Sequence, residues 1–454
     1  MIKLYLNYKK IIFMIYYIFF KFLIIIYIIL IIINYYTNYL ELNKNYIKYQ
    51  KKLNLTFHNY IKKKIRIGIY TFCLKNGGRA RITAKLINLF YKINIFKIYL
   101  FTIRDKENNE YTIPVNIKRN VIKNNNITKI IKYKIDILIL QINNFKIIQI
   151  LNDFKEIKVI NYIHHSVFQI IYSNYTYINC LYKEYAKSKY IISLVPFEND
   201  YLFKKWGVNS FLMNNFITYN YNFIFPSSLS SKIILMIGRG NNKNKRFEKG
   251  IRSMEYIIQQ IEECELKIIS TLNGVKDLIN LIDNLNLENK INFEGFNIFP
   301  EKLFKNVSLH FFPTITESFG LVLSETKIYG IPNILLGIDY ISIAKNGTFI
   351  IYDDTSESLA KVAIKILLNN TYRENLGKES RRNMIKYKNE LLILKWFKLV
   401  FYIYNGNVKQ FQNKNKKLSE KEGLFILRKQ INILKMRNTN FKNITLSNFE
   451  NLMF

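Results

Sequence analysis

Only three cysteines occur in the 454-residue chain, Cys73, Cys180 and Cys264, and they lie far apart. An odd number at such spacings excludes a disulfide framework and a cysteine-built metal cluster. Histidine is almost as scarce. Of four, only His164 and His165 are neighbours, a pattern that argues against a zinc enzyme. Acidic residues are outnumbered, 32 Asp and Glu against 68 Lys and Arg, giving a formal charge of +36. A basic excess commonly marks binding to nucleic acid or an anionic membrane. Here the lysine comes with a general swelling of Ile, Asn and Tyr, even in loops such as "NKNYIKYQKKLNL", as from a biased codon supply. No RNA-binding signature, zinc-ligand spacing or compact basic helix accompanies it, so specific nucleic-acid binding is not expected. Attraction to anionic lipid or to phosphorylated ligands is compatible with the charge.

What the chain does have begins at its N-terminus. Residues 11 to 33, "IIFMIYYIFFKFLIIIYIILIII", are apolar except for Lys21. They reach the roughly 20 residues that a membrane-spanning helix requires. No small-residue cleavage site follows, and the flank "NYYTNYLELNKNY" carries tyrosines suited to a membrane interface. The stretch reads as a single transmembrane signal anchor; an uncleaved targeting sequence that is later lost is the alternative. Lysines are denser after it (Lys44, Lys48, Lys51, Lys52, Lys62 to Lys64) than before it (Lys3, Lys9, Lys10), which leans toward a cytoplasmic globular part. Asn-x-Ser/Thr triplets such as those at Asn54, Asn126, Asn174, Asn306 and Asn346 are then chance products of an asparagine-rich chain. Residues 1–36 are thus expected to be a tail and anchor, and 37–64 a basic linker.

From "KIRIGIYTF" onward, β-rich runs alternate with helical periodicity. A glycine turn in "CLKNGGRARITAKLINLFYK" opens into a helix, and strand-like runs recur in "IFKIYLF", "DILILQI", "EIKVINYI" and "KYIISLV". The pattern lapses at "NFITYNYNFIFPSSLSS" and restarts with "KIILMIG", running through alternating strands and helices to "SESLAKVAIKILLN". Such alternation implies parallel sheets covered on both faces. The expectation is an α/β architecture of two Rossmann-like, doubly wound domains, residues 65–220 and 221–395, facing a cleft. A helix would cross back from "NELLILKWFKLVFYIYNG", and residues 396–454 would end in a basic, poorly patterned tail. No internal repeat stands out.

The most informative stretch is "FFPTITESFGLVLSETKIYGIP", residues 311 to 332. A strand ends at Pro313 and a helix is expected to begin near Ser318. Unsatisfied N–H groups at a helix start, with the helix dipole, bind anions such as phosphate. Gly320 removes a side chain from that approach. Glu317 then stands before the helix mouth and Glu325 about two turns in, roughly 10 Å or more along the helix. Carboxylates so spaced can accept hydroxyls on either side of a diphosphate; equally, Glu317 could merely cap the helix and Glu325 face solvent. A second motif, "MIGRGNNKNKRFEKG", places Arg239 just after a strand and Lys245 six positions later, a plausible diphosphate clamp in which Arg246 and Lys249 are rivals.

Arg239, Lys245, then Glu317-Ser318-Phe319-Gly320 with Glu325 after seven intervening residues resembles glycosyltransferase family 4, of the GT-B fold. "NGGRARI" resembles that family's Gly-Gly-x-x-Arg loop, "INFEGF" its Phe-x-Gly strand end beside the nucleotide base, and "ETKIYGIP" its Glu-x-x-x-x-Gly-x-Pro continuation. The resemblance covers about residues 65 to 395 and is looser in the first domain. It implies that Glu325 holds the ribose hydroxyls and Glu317 those of the donor sugar. Arg239 and Lys245 would hold the diphosphate, with the Phe319 and Gly320 backbone, flanked by Ser318 and Leu321, touching its outer phosphate. Gly77 and Gly78 would approach from the other domain, and Gly295 would border the base. A histidine after an N-domain strand is implied to face the reacting sugar. "NYIHHS" offers two, of which His165, followed by Ser166, is preferred, with the register uncertain by one. One departure is that the family's Gly-Arg-Leu with Lys-Gly here reads Gly-Arg-Gly with Lys245-Arg246, which leaves Lys245 less secure than Arg239.

The resemblance implies transfer of a hexosyl group from a nucleotide-diphosphate sugar to a lipid-linked or glycan acceptor, with retention and without cofactor or metal. No Asp-x-Asp stands at a strand end, consistent with that. A non-catalytic scaffold binding sugar nucleotide or lipid, and a soluble sugar-phosphate synthase or phosphorylase on the same fold, are the competing readings.

Overall fold

The computed structural model describes residues 63–75, 77–123, 127–154, 156–169, 175–219, 221, 224–240, 243–271, 274–295, 300–408 and 418–437. The anchor expected at 11–33 lies outside them, as do residues 37–62 of the linker expected at 37–64 and the triplets at Asn54, Asn126 and Asn174. Among the described residues no helix is long and apolar enough to cross a membrane. Lys63, Lys64 and Ile93–Ile95 group apart from the rest. The described residues of Ile65–Lys92 and Phe96–Phe454 form one compact unit, to which all that follows belongs.

That unit contains two parallel sheets. The first is built from β1 (Ile65–Thr71), β2 (Phe96–Thr102), β3 (Arg119–Val121), β4 (Ile137–Gln141), β5 (Lys158–Tyr162), β6 (Tyr190–Ser193) and β7 (Asn209–Leu212), in the order β3-β2-β1-β4-β5-β6-β7. Its centre is apolar on both faces. Ile69 of β1 lies opposite Leu100 of β2 on one side and Ile139 of β4 on the other, and all three are buried. Helices α1 (Gly78–Tyr91), α2 (Phe145–Asp153) and α3 (Tyr175–Ala186) connect its strands, short helical turns aside. Asn144 caps α2 by accepting from the Ile147 N–H, a cap expected of this residue type.

The second sheet contains β8 (Ile233–Gly238), β9 (Glu265–Ser270), β10 (Ile291–Glu294), β11 (Leu309–Phe312), β12 (Asn333–Leu336) and β13 (Thr348–Ile351), ordered β10-β9-β8-β11-β12-β13. Its helices are α4 (Phe247–Ile258), α5 (Lys276–Asn284), α6 (Pro300–Phe304), α7 (Leu321–Ile328), α8 (Ser356–Leu368) and α9 (Asn370–Asn383). Strands β8, β9 and β11 and helices α4 and α8 share one core, where Met236, Ile251, Ile268, Phe311 and Ala363 are all buried. In each sheet the order reverses between two neighbours, β1 and β4 in the first, β8 and β11 in the second. Loops at the carboxyl ends of such strand pairs diverge and leave a crevice, the usual ligand position in open α/β sheets.

Two elements tie the domains together. Helix α10 (Asn389–Asn405) returns to the first domain, where Trp396 packs against Phe90 and Tyr162, with ring centroids 5.8 and 5.3 Å away. A boundary at residue 395 therefore cuts a continuous helix. Residues 418–437, expected as part of a poorly patterned tail, form instead a capped helix, α11 (Glu420–Arg437). Ser419 and Glu422 bond reciprocally at its start, and Gln430 donates to the Gly337 carbonyl on the second domain.

Candidate active site

The crevice between the domains is lined by the loops that leave β1, β5, β8 and β11. Strand β1 hands over to α1 through Gly77, whose φ of 87° and ψ of 163° belong to a region open essentially to glycine. A methyl group on Gly77 would lie 2.5 Å from Nη2 of Arg239, and one on Gly78 would lie 2.7 Å from Cδ1 of Leu321. Bare backbone of the first domain thus faces the two loops of the second. Arg239 follows β8 directly and is exposed.

Lys245 and Glu317 form an ion pair across the β8 and β11 loops, Nζ to Oε2 at 3.2 Å, with both side chains about one-fifth exposed. The Lys245 ammonium also lies 5.2 Å from the centre of the Phe312 ring. Between the loops, Asn244 accepts from the Thr316 N–H and donates to the Thr316 carbonyl, fixing one loop on the other. The two rivals of Lys245 are committed elsewhere. Arg246 makes a bidentate pair with Asp354, and Lys249 donates to the Asp354 carbonyl.

Helix α7 begins at Leu321 rather than near Ser318, because Gly320 is the left-handed residue that precedes it (φ 83°). Its first turn carries no acidic side chain to compete with an anion at the N–H groups. Glu325 is consequently little more than one turn in, closer to the helix mouth than the sequence suggested. It is 5% exposed and far from being a solvated helix residue. Its Oε1 pairs with Arg81 Nη2 at 2.6 Å and accepts from Thr218 Oγ at 2.7 Å. Phe319 is buried with its ring edge-on to Tyr387, so only its backbone can serve a ligand.

The first domain meets this loop through β5. Ser318 Oγ donates to the His164 carbonyl at 2.9 Å, and the Glu317 N–H donates to the Tyr340 hydroxyl at 3.0 Å. His164 Nε2 is 2.8 Å from Gln141 Oε1. Burial, with Arg79 and His165 nearby, holds its pKa well below the usual histidine value, so its ring stays neutral. His165, the preferred histidine, points the other way. Its ring stacks on Tyr185 in the first-domain core, both ring nitrogens lack hydrogen-bond partners among the described residues, and burial drives its pKa down to about 3. The geometry moves the crevice-facing position from His165 to His164. Gly295, expected to border the base, is exposed directly after β10, and a methyl group added there would meet nothing within 4 Å among the described residues.

The structure therefore brings together Gly77, Gly78, Arg239, Lys245, Glu317, Ser318, Phe319, Gly320, Leu321 and Glu325. Arg81, Thr218 and Tyr340 had no assigned part in the sequence reading. Arg81 was visible as the arginine of the Gly-Gly-x-x-Arg loop, whereas Thr218 sits in the interdomain connection and carries no local signal. Among the described residues no three His, Cys, Asp or Glu side chains converge as metal ligands would.

Residues 220–383 match the family described as "Glycosyl transferases group 1", so the second domain is a domain of that kind. The poly(ribitol-phosphate) α-N-acetylglucosaminyltransferase of Staphylococcus aureus (strain COL) is 26% identical over 162 residues, 34% of this chain. The matched region spans 32% of that relative's length. Among solved structures, sucrose-phosphate synthase of Thermosynechococcus elongatus superposes with a TM-score of 0.62 at 16% identity, covering 76% of this chain and 100% of the other. HepE of Anabaena, in complex with UDP and glucose, gives 0.60 at 14% over 74% and 99%. A point mutant of Staphylococcus aureus TarM, in a complex that includes UDP, gives 0.58 at 14% over 76% and 100%. The fold is GT-B: two parallel-sheet α/β domains.

Proposed function

We propose that the chain is a glycosyltransferase of the family 4 type. It would move a hexosyl group from a nucleotide-diphosphate sugar to the hydroxyl of a lipid-linked or glycan acceptor, with retention of configuration. The observation that carries this reading is the convergence of Arg239, the Lys245–Glu317 pair, the α7 N-terminus and Glu325 opposite the Gly77-Gly78 backbone. That set offers cations and N–H groups for a diphosphate between two carboxylates for hydroxyls. The UDP bound by two of the structural relatives makes a UDP-sugar the first donor to test.

In this reading Glu325 takes ribose hydroxyls and Glu317 takes hydroxyls of the donor sugar. Arg239, Lys245 and the α7 N–H groups hold the diphosphate and stabilise the charge that develops as the glycosidic C–O bond breaks toward phosphate. The acceptor hydroxyl adds on the same face of the sugar, and its proton passes to the departing phosphate oxygen. The His164 carbonyl and the Ser318 hydroxyl already close one wall, so approach of the domains excludes water. We read the reaction as independent of cofactor and metal, because the diphosphate charge is met by side-chain cations and helix N–H groups. The chain would sit on a membrane through residues 11–33, its catalytic part cytoplasmic.

The test is calorimetric titration of the full chain with UDP, followed by transfer assays from UDP-sugars to lipid and glycan acceptors. Binding and transfer that disappear in Arg239→Ala support the assignment. A scaffold would bind UDP without transfer, and unchanged UDP affinity in both Arg239→Ala and Glu325→Gln would remove the site. Carbonate extraction of the native protein tests the anchor, since release into the soluble fraction excludes it.

A further inference from the structure

Glu325 does more than border the crevice. Its Oε1 joins three parts of the chain: α7 of the second domain, Arg81 on α1 of the first, and Thr218 in the connection between them. The junction is nearly closed to solvent, with Glu325 6% and Arg81 26% exposed at the side chain. Yet the arginine is only partly satisfied. Its nearest approach to the carboxylate is Nη2 to Oε1 at 2.6 Å, and Nε takes no part in it. Its Nε–H is buried and has no hydrogen-bond partner among the described residues. An ion pair serving only to hold the domains together would be expected to use the fork geometry that arginine and carboxylate share. A buried donor left over beside the residue read as the ribose carboxylate instead points to a missing acceptor oxygen.

We propose that Arg81 is a further donor-site residue, fixing Glu325 through Nη2 and offering its Nε–H to an oxygen of the bound nucleotide. The proposal rests on the glycosyltransferase reading above and extends it to the first domain. Nucleotide held by Glu325 is thereby held by both domains at once, and donor binding and domain approach become one event. Thr218, on the same carboxylate oxygen, ties the interdomain connection to that event.

The experiment is a double-mutant cycle on the full chain, with UDP affinity measured by calorimetry. Arg81→Ala is expected to weaken UDP about tenfold, the loss of one charge-assisted contact. The Arg81→Ala/Glu325→Gln double variant is expected to bind no more weakly than the poorer single variant, because the two side chains act as a unit. Arg81→Lys, which keeps the charge but lacks Nε–H, serves as the second variant and should also lose affinity. Melting temperatures without UDP separate this from a purely structural bridge. A lowered melting temperature with unchanged UDP affinity in both Arg81 variants overturns the proposal. So do multiplicative losses in the double variant, or tighter binding in Arg81→Ala, which would make the pair a lock against the donor. If wild type binds UDP, Arg239→Ala abolishes it and the Arg81 variants bind normally, this inference alone fails. If wild type takes up no UDP, it falls together with the UDP-donor reading.

Discussion

Replacing Gly77 by alanine puts the assembled crevice under direct strain. With φ 87° and ψ 163°, Gly77 holds a backbone conformation that costs a residue with a side chain about 1–3 kcal/mol. The added methyl group also meets a guanidinium, 2.5 Å from Arg239 Nη2, well inside van der Waals contact. Arg239 is exposed and flexible, so the cheaper response is for its side chain to swing away from the crevice rather than for the strand ends to move. Losing its charge-assisted bond to a diphosphate would cost about 1.5–3 kcal/mol, a roughly 10- to 150-fold weaker UDP affinity. Calorimetric titration of Gly77→Ala with UDP reads this directly, and thermal melting without ligand reads the backbone strain. Gly295→Ala is the matched control, because its methyl group would meet nothing within 4 Å among the described residues. Wild-type UDP affinity in Gly77→Ala would refute the placement of Arg239 on the donor phosphates. An equal loss in Gly295→Ala would show that the effect is not local to the crevice.

Activity measured after dialysis against EDTA should persist, since side-chain cations and the α7 N–H groups are read as the partners of the leaving phosphate; complete loss restored by manganese or magnesium would contradict that reading. The buried Glu198 supplies a pH test. Burial raises its pKa from 4.5 to about 8, against the opposing bonds from the Val167 N–H at 2.5 Å and Ser193 Oγ at 3.1 Å. The folded chain therefore keeps a proton that the unfolded chain has released, so this group's contribution to stability falls as pH rises from about 4.5 to 8 and levels off above. Glu198→Gln should flatten that part of the melting-temperature profile, and an unaltered slope between pH 5 and pH 8 would show that Glu198 is already ionised in the folded protein.

Much of the architecture is written locally. Runs such as "DILILQI" and "KIILMIG" are apolar on both alternating faces, which suits a short strand buried between helix layers, and they contain β4 and β8. Pro313 and Gly320 bracket the β11 loop for reasons of backbone geometry that hold in any context: one cannot continue the ladder, the other takes the left-handed turn before α7. From those strand and turn positions follows the placement of Arg239, Glu317 and Glu325 at one end of the second sheet. Helix α9 was not legible, because the side chains it buries include Arg373, Ser380 and Asn383, which leave no apolar period to read. Arg373 is instead satisfied by the carbonyls of Ile366 and Leu367 at the end of α8 and of Leu229, 144 positions away. Helix α11 did carry a local signal in Ser419-x-x-Glu422, overlooked within a lysine-rich tail.

The sequence by itself determined the two parallel α/β units and the strand-end loops that carry Arg239, Glu317 and Glu325, since periodicity and turn chemistry are properties of neighbouring residues. Only the tertiary structure decided between His164 and His165. A single residue's shift at a strand end reverses the side of the sheet a side chain faces, and that side is set by Tyr182, Tyr185 and the Ser318 loop rather than by the "HHS" string. The pairing of Arg81 with Glu325 was likewise settled in space. The two are 244 positions apart in the numbering, and what joins them is the packing of one domain on another, which no local pattern encodes.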